Sequence, residues 1–456
     1  MLVTRLARSA RLVLDMRAQA RFPFQPQEAV ERAQARRVRR MVAHAYATVP
    51  YYRATMDRLG LRPDDFRGAA DLAKLPIVGR EELQRDSEAF VSTAAPVDRY
   101  LKLRSGGSTG APRTVFYDAA ALLENAAHGE RMRSIYTPLI GRATRYRETV
   151  LTPPHGAASD VSRFVRARGV APGRFWIERR FVSLLDPPER IAEQIDEFRP
   201  EVLRAYGSIL ETLFAHYRAR GTPFHRPKLI TYSSDDISPA TRRLITEEYG
   251  IPVFAAYQAI EALKIGFECD RHRGYHLNLD LYPVRIVGAA GEPVPDGTSG
   301  EVVVSNLVGR ATVLLNYRLG DLATVDPEPC PCGRSLPLLS ALDGRRDDVI
   351  ELPSGRIVHP QALRGVLTGE ERVWQYQIVQ QTPAHFTVAI MADPADRSAL
   401  RDRVAAGLAA RLVDPVTIEV TFVDAIARTA GGKVRPIVSR CQNGAGDAGV
   451  GGSDHG

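Results

Sequence analysis

Hydrophobic residues in the first third of the chain recur at the spacing of an α-helix. From residue 27 to residue 60 apolar positions return every three or four residues, and Gly60 is a residue type that ends helices. A second stretch with this spacing covers residues 119–137. The pattern therefore predicts two helical segments separated by a less regular region.

The middle of the chain alternates short strands with helices. Apolar runs at 229–232 and 253–257 predict strands, and Ser238-Pro239 between them has the residue types that start a helix. Strand–helix–strand order predicts a parallel sheet, in which ligands collect at the carboxyl ends of the strands. Upstream of these strands, the segment from Ser208 to Glu211 predicts a capping box at the start of another helix.

The pattern changes after residue 280, and this change predicts two domains. "PVRIV" and "EVVVS" flank a connection rich in glycine and proline, as the strands of an antiparallel hairpin do. A charged break then follows Asp343. We therefore expect an α/β fold with a large N-terminal domain over 1–343, whose mixed and parallel sheets are flanked by helices. A small α+β domain over 344–440 and a disordered tail over 441–456 complete the prediction.

Charge and composition narrow the class of partner. The formal net charge is +8, and lysine supplies only five of the 61 basic residues, so arginine dominates. Because the arginines are spread along the chain, the charge favours small anionic substrates over nucleic acid. No stretch approaches the about 18 apolar residues of a spanning helix, so stable membrane insertion is not expected. The Arg-rich first 21 residues indicate a surface helix, with contact to a membrane surface as the alternative.

The segment "LRSGGSTGAPRT" at residues 103–114 has the residue types of a phosphate-binding loop. Glycines let backbone amides turn toward an anion, and serine and threonine hydroxyls add donors. A Walker loop ends in lysine and opens a helix, whereas here Arg113 follows Pro112, which disfavours that class. Taken alone, a loop of this composition is a solvated turn more often than a ligand site.

Five motifs in order give the loop a context. "SGGSTGAPR" is followed by Tyr257-x-x-x-Glu261, "YRLGDLA" at 317–323, "GRRDD" at 344–348 and "RTAGGKVR" at 428–435. Together they resemble the AMP-forming adenylating superfamily, which includes acyl-CoA synthetases. "FECDRHRGYHLNLD" and "CPCGRSLPLLSALDGRRDD" are similar to the phenylacetate–CoA ligase branch, and "NLVGRATVLLNYRLGD" to its subgroup associated with capsular-polysaccharide genes.

The resemblance implies a ligase with a large domain and a small mobile one. It would use ATP and Mg²⁺ to convert a carboxylic acid into an acyl-adenylate, and then transfer the acyl group to coenzyme A. Two alternatives stay open: an adenylyltransferase or acyl-adenylate-forming enzyme with a non-CoA acceptor, and a degenerate non-catalytic homologue. A cytoplasmic location is expected, and a homodimer stays open as the assembly.

By the resemblance, several residues would bind the nucleotide. Arg113 would supply the charge of the family's loop lysine, Tyr257 would stack on adenine, and Asp321 would accept hydrogen bonds from the ribose hydroxyls. Ser234 and Asp235 occupy a position beside the adenine. The implied phosphate-loop residues are Ser105, Gly106, Gly107, Ser108, Thr109 and Gly110.

Three residues would act closest to the chemistry. Glu261 would bind Mg²⁺, Arg345 would bind ribose or phosphate, and Lys433 would pair with the substrate carboxylate and the α-phosphate. Asp347 or Asp348 would be the hinge of the small domain. The alternatives are a surface ion pair for Glu261, a charged linker for the hinge, and an ordinary loop lysine for Lys433.

The chain departs from the family pattern near these residues. Gln258 and Ile260 stand where the family has glycine and threonine, and Ser233-Ser234 stands where it has two glycines. The missing threonine hydroxyl is one that often contacts the α-phosphate. These departures motivate the non-catalytic alternative.

A cluster of thiols and an imidazole predicts a metal site. Four cysteines are too few for a disulfide scaffold, and Cys269, His276, Cys330 and Cys332 suit a closed tetrahedral Zn²⁺ site. Some members of the branch carry such a zinc. Buried reduced cysteines are the alternative, and His272 is the rival imidazole. For the acid pocket, Pro154-His155-Gly156 and Tyr206-Gly207-Ser208 fall at the position implied by the branch, with a turn or a helix cap as the alternative.

Overall fold

The chain forms two compact units. The computed structural model describes residues 12, 14–104, 113–154, 156–168, 177–345, 350–358, 360–392, 397–429 and 432–441. The larger unit contains residues 1–237, 242–343 and 430–433. The smaller one contains residues 238–241, 344–429 and 434–456. The predicted tail beyond Cys441 and the hinge candidates Asp347 and Asp348 lie outside the described residues.

The helices of the N-terminal region begin and end at prolines and glycines. Helix α1 (Gln27–Thr48) stops because Val49 precedes a proline, and α2 (Pro50–Arg58) starts with that proline at its first position. The predicted helical stretch 27–60 is therefore two helices, and Gly60 follows with a φ of +68°. Further α-helices before residue 343 are α3 (Arg80–Arg85), α4 (Ala119–His128), α5 (Glu130–Ile140), α6 (Ala157–Arg168), α7 (Pro188–Phe198), α8 (Gly207–Arg220) and α9 (Pro239–Arg243), which a π-helical turn (Leu244–Glu248) continues.

An 11-stranded mixed sheet dominates the larger unit, with the strand order β10-β11-β12-β13-β9-β8-β7-β6-β5-β3-β4. Strands β4, β3, β5, β6 and β7 pair in parallel. Strands β10 and β11 pair antiparallel. The bounds of the sheet strands are β3 (Arg147–Thr152), β4 (Glu178–Ser183), β5 (Val202–Tyr206), β6 (Leu229–Ser233), β7 (Val253–Tyr257), β8 (Gly266–Glu268), β9 (Tyr275–Leu277), β10 (Val284–Val287), β11 (Ser299–Val304), β12 (Tyr317–Asp326) and β13 (Leu338–Arg345), and a separate hairpin is formed by β1 (Leu101–Arg104) and β2 (Thr114–Tyr117).

The sheet confirms the predicted strand order and corrects one predicted cap. The strands predicted at 229–232 and 253–257 pair in parallel, and the Ser238 hydroxyl accepts a hydrogen bond of 3.2 Å from the Thr241 amide, as expected of a cap. The capping box at Ser208 is wrong, because α8 begins one residue earlier, at Gly207. The Ser208 hydroxyl instead donates a hydrogen bond to a carboxylate at the end of β6.

The smaller unit packs two helices against a four-stranded sheet with the order β18-β17-β16-β19. Its core is apolar, with Phe386, Val388, Leu363 and Val404 nearly inaccessible to solvent. Each such side chain contributes about 1.5–3 kcal/mol by leaving water. The elements are β14 (Ile350–Glu351), β15 (Ile357–Val358), α10 (Pro360–Thr368), β16 (Val373–Thr382), β17 (His385–Ala392), α11 (Arg397–Leu412), β18 (Thr417–Phe422) and β19 (Ile437–Ser439).

The core of the larger unit is rich in tyrosine as well as aliphatic residues. Tyr52, Tyr117, Tyr282 and Tyr317 are all nearly inaccessible to solvent. In the described part of the chain, no helix combines the length and apolar character needed to cross a bilayer.

Candidate active site

Three neighbouring parallel strands end side by side, and polar residues lie at these ends. Tyr206 ends β5 and pairs in register with Ser233, which ends β6. Ser233 pairs in turn with Ala256 of β7, and Tyr257 follows. The predicted acid-pocket and adenine-side residues therefore lie along one edge of the sheet, where α/β proteins bind ligands.

Tyr257 and Asp321 are brought together although 64 positions separate them in sequence. The Tyr257 hydroxyl donates a hydrogen bond of 2.7 Å to Oδ2 of Asp321. Only 4% of Tyr257 is exposed, and its ring meets that of Tyr275 edge-on at 6.2 Å. The phenol therefore fixes one oxygen of the carboxylate predicted to bind ribose.

Arg113 and Glu261 form an ion pair in the larger unit. The distance from Nη1 of Arg113 to Oε1 of Glu261 is 2.8 Å, and 14% and 3% of the two side chains are exposed. The contact satisfies the distance of an ion pair, but Oε1 lacks a hydrogen bond of good geometry within the described residues. The same guanidinium nitrogen lies 3.3 Å from the hydroxyl of Tyr317. Burial, reinforced by the charge of Glu261, raises the pKa of Tyr317 to about 12, so the phenol stays neutral.

The turn that carries Glu261 is anchored by buried polar side chains. Tyr117 donates to the carbonyl of Ile260 at 2.8 Å, and the Asn306 amide donates to the carbonyl of Glu261 at 2.7 Å. Asn306 and Tyr317 were not assigned a role from the sequence. Both residues lie within "NLVGRATVLLNYRLGD", the segment that resembles a subgroup of the family. That resemblance indicates membership of the subgroup but does not predict which residues these side chains contact.

Asp235 accepts hydrogen bonds from the start of helix α8. Its carboxylate receives the Ser208 hydroxyl at 2.6 Å and the Ser208 amide at 3.3 Å. Burial raises the pKa of Asp235, while the bonds from Ser208 and the charge of Lys433 oppose that rise. The close approach requires Gly207, because a Cβ there would lie 2.3 Å from the carbonyl oxygen of Asp236. Ser234 has a φ of +80°, a region that favours glycine and that serine occupies at a cost of about 1–3 kcal/mol.

Lys433 lies with the strand ends of the larger unit. Its Nζ is 5.9 Å from the ring centroid of Tyr206, and its charge acts on the carboxyl of Asp235. Gly432 has a φ of +79°, and a Cβ there would come within 2.0 Å of Leu184. A side chain at position 432 would therefore displace the lysine. Tyr206, predicted only as part of an acid pocket, is the aromatic partner of this amine.

Part of the predicted site lies outside the described part of the chain. The phosphate loop from Ser105 to Pro112 and His155 lie outside the described residues, and so does the side chain of Arg345. The described site thus contains Arg113, Tyr257, Glu261 and Asp321 as one group. Ser234, Asp235 and Lys433 form a second group on the same strand ends.

The predicted metal ligands converge in the larger unit. The ligand atoms of Cys269, His276, Cys330 and Cys332 all lie within 4.8 Å of one another. The sulfur atoms of Cys269 and Cys330 are 3.7 Å apart, close to the about 3.8 Å expected between two thiolates on one tetrahedral zinc. Nδ1 of His276 lies 3.1 Å from the carbonyl of Leu336, which leaves Nε2 facing Cys332 at 3.3 Å. Burial lowers the pKa of His276 to about 4, so the imidazole is neutral, as a ligand must be. His272, the rival imidazole, contacts Glu268 instead.

Known proteins are similar to this chain in sequence and in fold. Residues 350–440 match the family described as the CapK C-terminal domain. A phenylacetate–coenzyme A ligase of Thermus thermophilus is 29% identical over 363 residues, covering 78% of this chain and 79% of that protein. A 2-hydroxyisobutyryl-CoA ligase in the postadenylation state with R3-HIB-AMP superposes with a TM-score of 0.76, at 18% identity, over 93% of this chain and 92% of that one. The same ligase with 2-HIB-AMP and CoA gives a TM-score of 0.62, at 17% identity, over 92% of both chains.

Proposed function

Because the chain belongs to the AMP-forming adenylating superfamily, in the branch of the phenylacetate–CoA ligases and the CapK C-terminal domain, we propose that it is an acid–thiol ligase. A carboxylate oxygen attacks the α-phosphorus of ATP, and the bond to the β-phosphate breaks to release pyrophosphate. The thiolate of coenzyme A then attacks the acyl carbon, and AMP leaves. The observation that carries the proposal is the grouping of Arg113, Glu261, Tyr257 and Asp321, which the sequence assigned separately to one nucleotide.

Different residues bind different parts of ATP and the acid in the first step, the formation of the acyl-adenylate. Asp321, held by Tyr257, orients the ribose, and Lys433 offsets the repulsion between the attacking carboxylate and the α-phosphate. The phosphate loop and Arg113 bind the β- and γ-phosphates, and Arg345 contacts ribose or phosphate. The small domain, over 344–440, turns about Asp347 or Asp348 between the two steps. These roles rest on the family resemblance as well as on the contacts described above.

Glu261 fits a magnesium ligand by its chemistry. Its carboxylate is 3% exposed, and Oε1 has no hydrogen bond of good geometry within the described residues, so it retains capacity for a hard cation. When bound, Mg²⁺ would neutralise phosphate charge. Nη1 of Arg113 lies 2.8 Å from the same oxygen. Binding of Mg²⁺ there would therefore require the guanidinium to move away or to share that oxygen with the metal.

The test of the proposal is carboxylate-dependent exchange of labelled pyrophosphate into ATP, followed by CoA-dependent release of AMP. We expect both with at least one acid from a panel of aryl, alkyl and hydroxy acids. A stable adenylylated product without CoA consumption would favour the alternative with another acceptor. The absence of exchange with every acid would contradict the proposed function.

The cysteine cluster fits a structural zinc. Three thiolates and one imidazole leave no open coordination position, which suits a role in folding stability and not in catalysis. Metal analysis of the purified protein should give one zinc per chain. Cys332→Ser should lower the zinc content and the melting temperature, whereas Cys441→Ser, at a cysteine outside the cluster, should change neither. A stable protein without zinc would contradict this assignment.

The thiols also favour a reducing compartment. All four cysteines are free, and the cluster requires its three as thiolates. Disulfides form in oxidising compartments and are rare in the cytosol. We therefore place the activity in the cytoplasm.

A further inference from the structure

The sheet face below Tyr206 carries an arginine that the proposed chemistry does not use. Arg204 precedes Tyr206 by two residues on β5, so both side chains leave the same face, about 7 Å apart. Strand β5 lies inside the sheet, between β3 and β6. The register partners of Arg204, Val150 and Thr231, are each only 6% exposed.

Arg204 nevertheless keeps access to solvent. Its side chain is 39% exposed, while Val202, two residues earlier on the same face, is fully buried under helix α5. Tyr136 and Ile140 of α5 form that cover. The face is therefore covered at Val202 and accessible to solvent at Arg204. We call this accessible position, one step below the strand end that holds Tyr206, the recess.

Lys264 is a second cation of this region. Lys264, one of the five lysines of the chain, follows β7 and donates a hydrogen bond of 2.5 Å to the carbonyl of Asn125, near the end of α4. A Cβ at Gly129 would lie 2.9 Å from its Nζ, so the ammonium lies against the junction of α4 and α5. Burial lowers the pKa of Lys264 to about 7, and among the surrounding charges Arg204 lowers it most. The charge of Arg204 therefore acts on the Lys264 ammonium.

The carboxylates of this region are already engaged. Glu130 pairs with Arg133, and Glu148 pairs with Arg179. Arg204 reaches Glu148 only at 3.7 Å. Four cations thus face two carboxylates, and the excess falls on Arg204 and Lys264. A half-buried excess of positive charge is costly unless an anion completes it.

We propose that this recess selects acids that carry a second anionic group, which Arg204 and Lys264 bind while the reacting carboxylate lies beside Tyr206 and Lys433. The inference rests on the proposed function and deepens it by naming the substrate class. The spacing along β5 favours two acid groups on the order of 7 Å apart, as in a short dicarboxylate or an aryl acid with a second carboxyl group. The alternative is a purely structural role, in which Lys264 caps the end of helix α4 and Arg204 balances the charge of Glu148.

The experiment compares acids that differ only in a second carboxylate: adipate with hexanoate, and 4-carboxyphenylacetate with phenylacetate. Pyrophosphate exchange gives kcat/KM for each acid in the absence of CoA, so the phosphates of CoA cannot be the anion measured. Calorimetric titration with the same acids reads binding alone. We expect the wild-type protein to prefer each diacid by about 10- to 100-fold, the range of one or two charge-assisted hydrogen bonds.

Arg204→Met should bring the diacid-to-monoacid ratio close to one, and Arg204→Lys should restore part of it. Lys264→Met should also lower the diacid-to-monoacid ratio. Thermal unfolding will show whether each variant is folded. If Arg204→Met does not fold, Lys264→Met still tests the inference. The matched control is Arg190→Met, at a 72% exposed arginine on α7, which should leave the ratio unchanged.

The outcomes separate this inference from the proposed function. Exchange with monoacids at least equal to diacids would overturn the inference and leave the ligase intact. Equal losses for both acids in the variants would also overturn it. Selective calorimetric binding of diacids without exchange would support the recess and contradict the ligase.

Discussion

Arg113 and Glu261 lie 2.8 Å apart, so the cation predicted to bind phosphate holds the carboxylate predicted to bind magnesium. The two predicted roles are chemically linked, because a polyphosphate that binds Arg113 would draw the guanidinium away and leave the carboxylate for a metal. The ion pair places an opposite charge beside a carboxylate that is only 3% exposed.

Glu261→Gln should lower the rate of pyrophosphate exchange by at least about 100-fold, because the amide keeps the shape but neither pairs with Arg113 nor binds Mg²⁺ strongly. The measurement is exchange at varied Mg²⁺ concentration. Glu301→Gln is the matched control, since Glu301 is 8% exposed and pairs with Arg318 at 2.7 Å. That variant should lose stability but keep exchange. Similar losses of exchange in both variants would show that the effect is structural.

Tyr257→Phe should lower the free energy of unfolding by about 1.5–3 kcal/mol, because it removes a part-buried hydrogen bond to a carboxylate. It should also raise the KM for ATP, since Asp321 loses the partner that orients it. Tyr282→Phe is the control, because within the described residues the buried Tyr282 hydroxyl has no hydrogen-bond partner. Urea unfolding of the two variants checks the difference, and an equal loss in both would contradict the role of the Asp321 bond.

The sequence predicted the fold where the pattern is periodic. The parallel pairing of β6 with β7 and the Ser238 cap follow from short-range spacing, which local interactions determine. Contacts between residues far apart in the sequence could not be predicted in this way. Nothing near Ser208 indicates that its hydroxyl donates to Asp235, because that choice depends on how two strand ends meet. A local capping box is the sequence signal, and tertiary packing overrides it.

The candidate site shows the same division. The resemblance identified Tyr257, Glu261 and Asp321 as site residues. It did not predict that Tyr257 donates a hydrogen bond to Asp321 or that Arg113 forms an ion pair with Glu261. Arg204 was not singled out at all, since one arginine among 56 carries no signal in the sequence. Its exposure within a central strand becomes visible only when the helices that cover the sheet are in place.

Lys264→Met should raise the melting temperature relative to the wild-type protein more at pH 6 than at pH 9. Burial lowers the pKa of Lys264 from 10.5 to about 7, so between these values the unfolded state binds more protons than the folded state. Wild-type stability therefore rises with pH across this window, and below about pH 7 the folded protein carries the full cost of the buried charge. The variant removes that slope. Melting curves of both proteins at the two pH values measure it, and a pH-independent difference would contradict the lowered pKa.

Lys433→Ala should abolish pyrophosphate exchange while sparing thioester formation from supplied acyl-adenylate. The amine lies beside Tyr206 and Asp235, where it can offset the charge of the attacking carboxylate, whereas no such charge is opposed once the adenylate exists. The measurements are exchange and the appearance of acyl-CoA from synthetic adenylate. Lys74→Ala, at a half-exposed lysine that pairs with Asp71, should affect neither. Equal loss of both reactions in Lys433→Ala would mean that the lysine supports the structure of the site and not the first step alone.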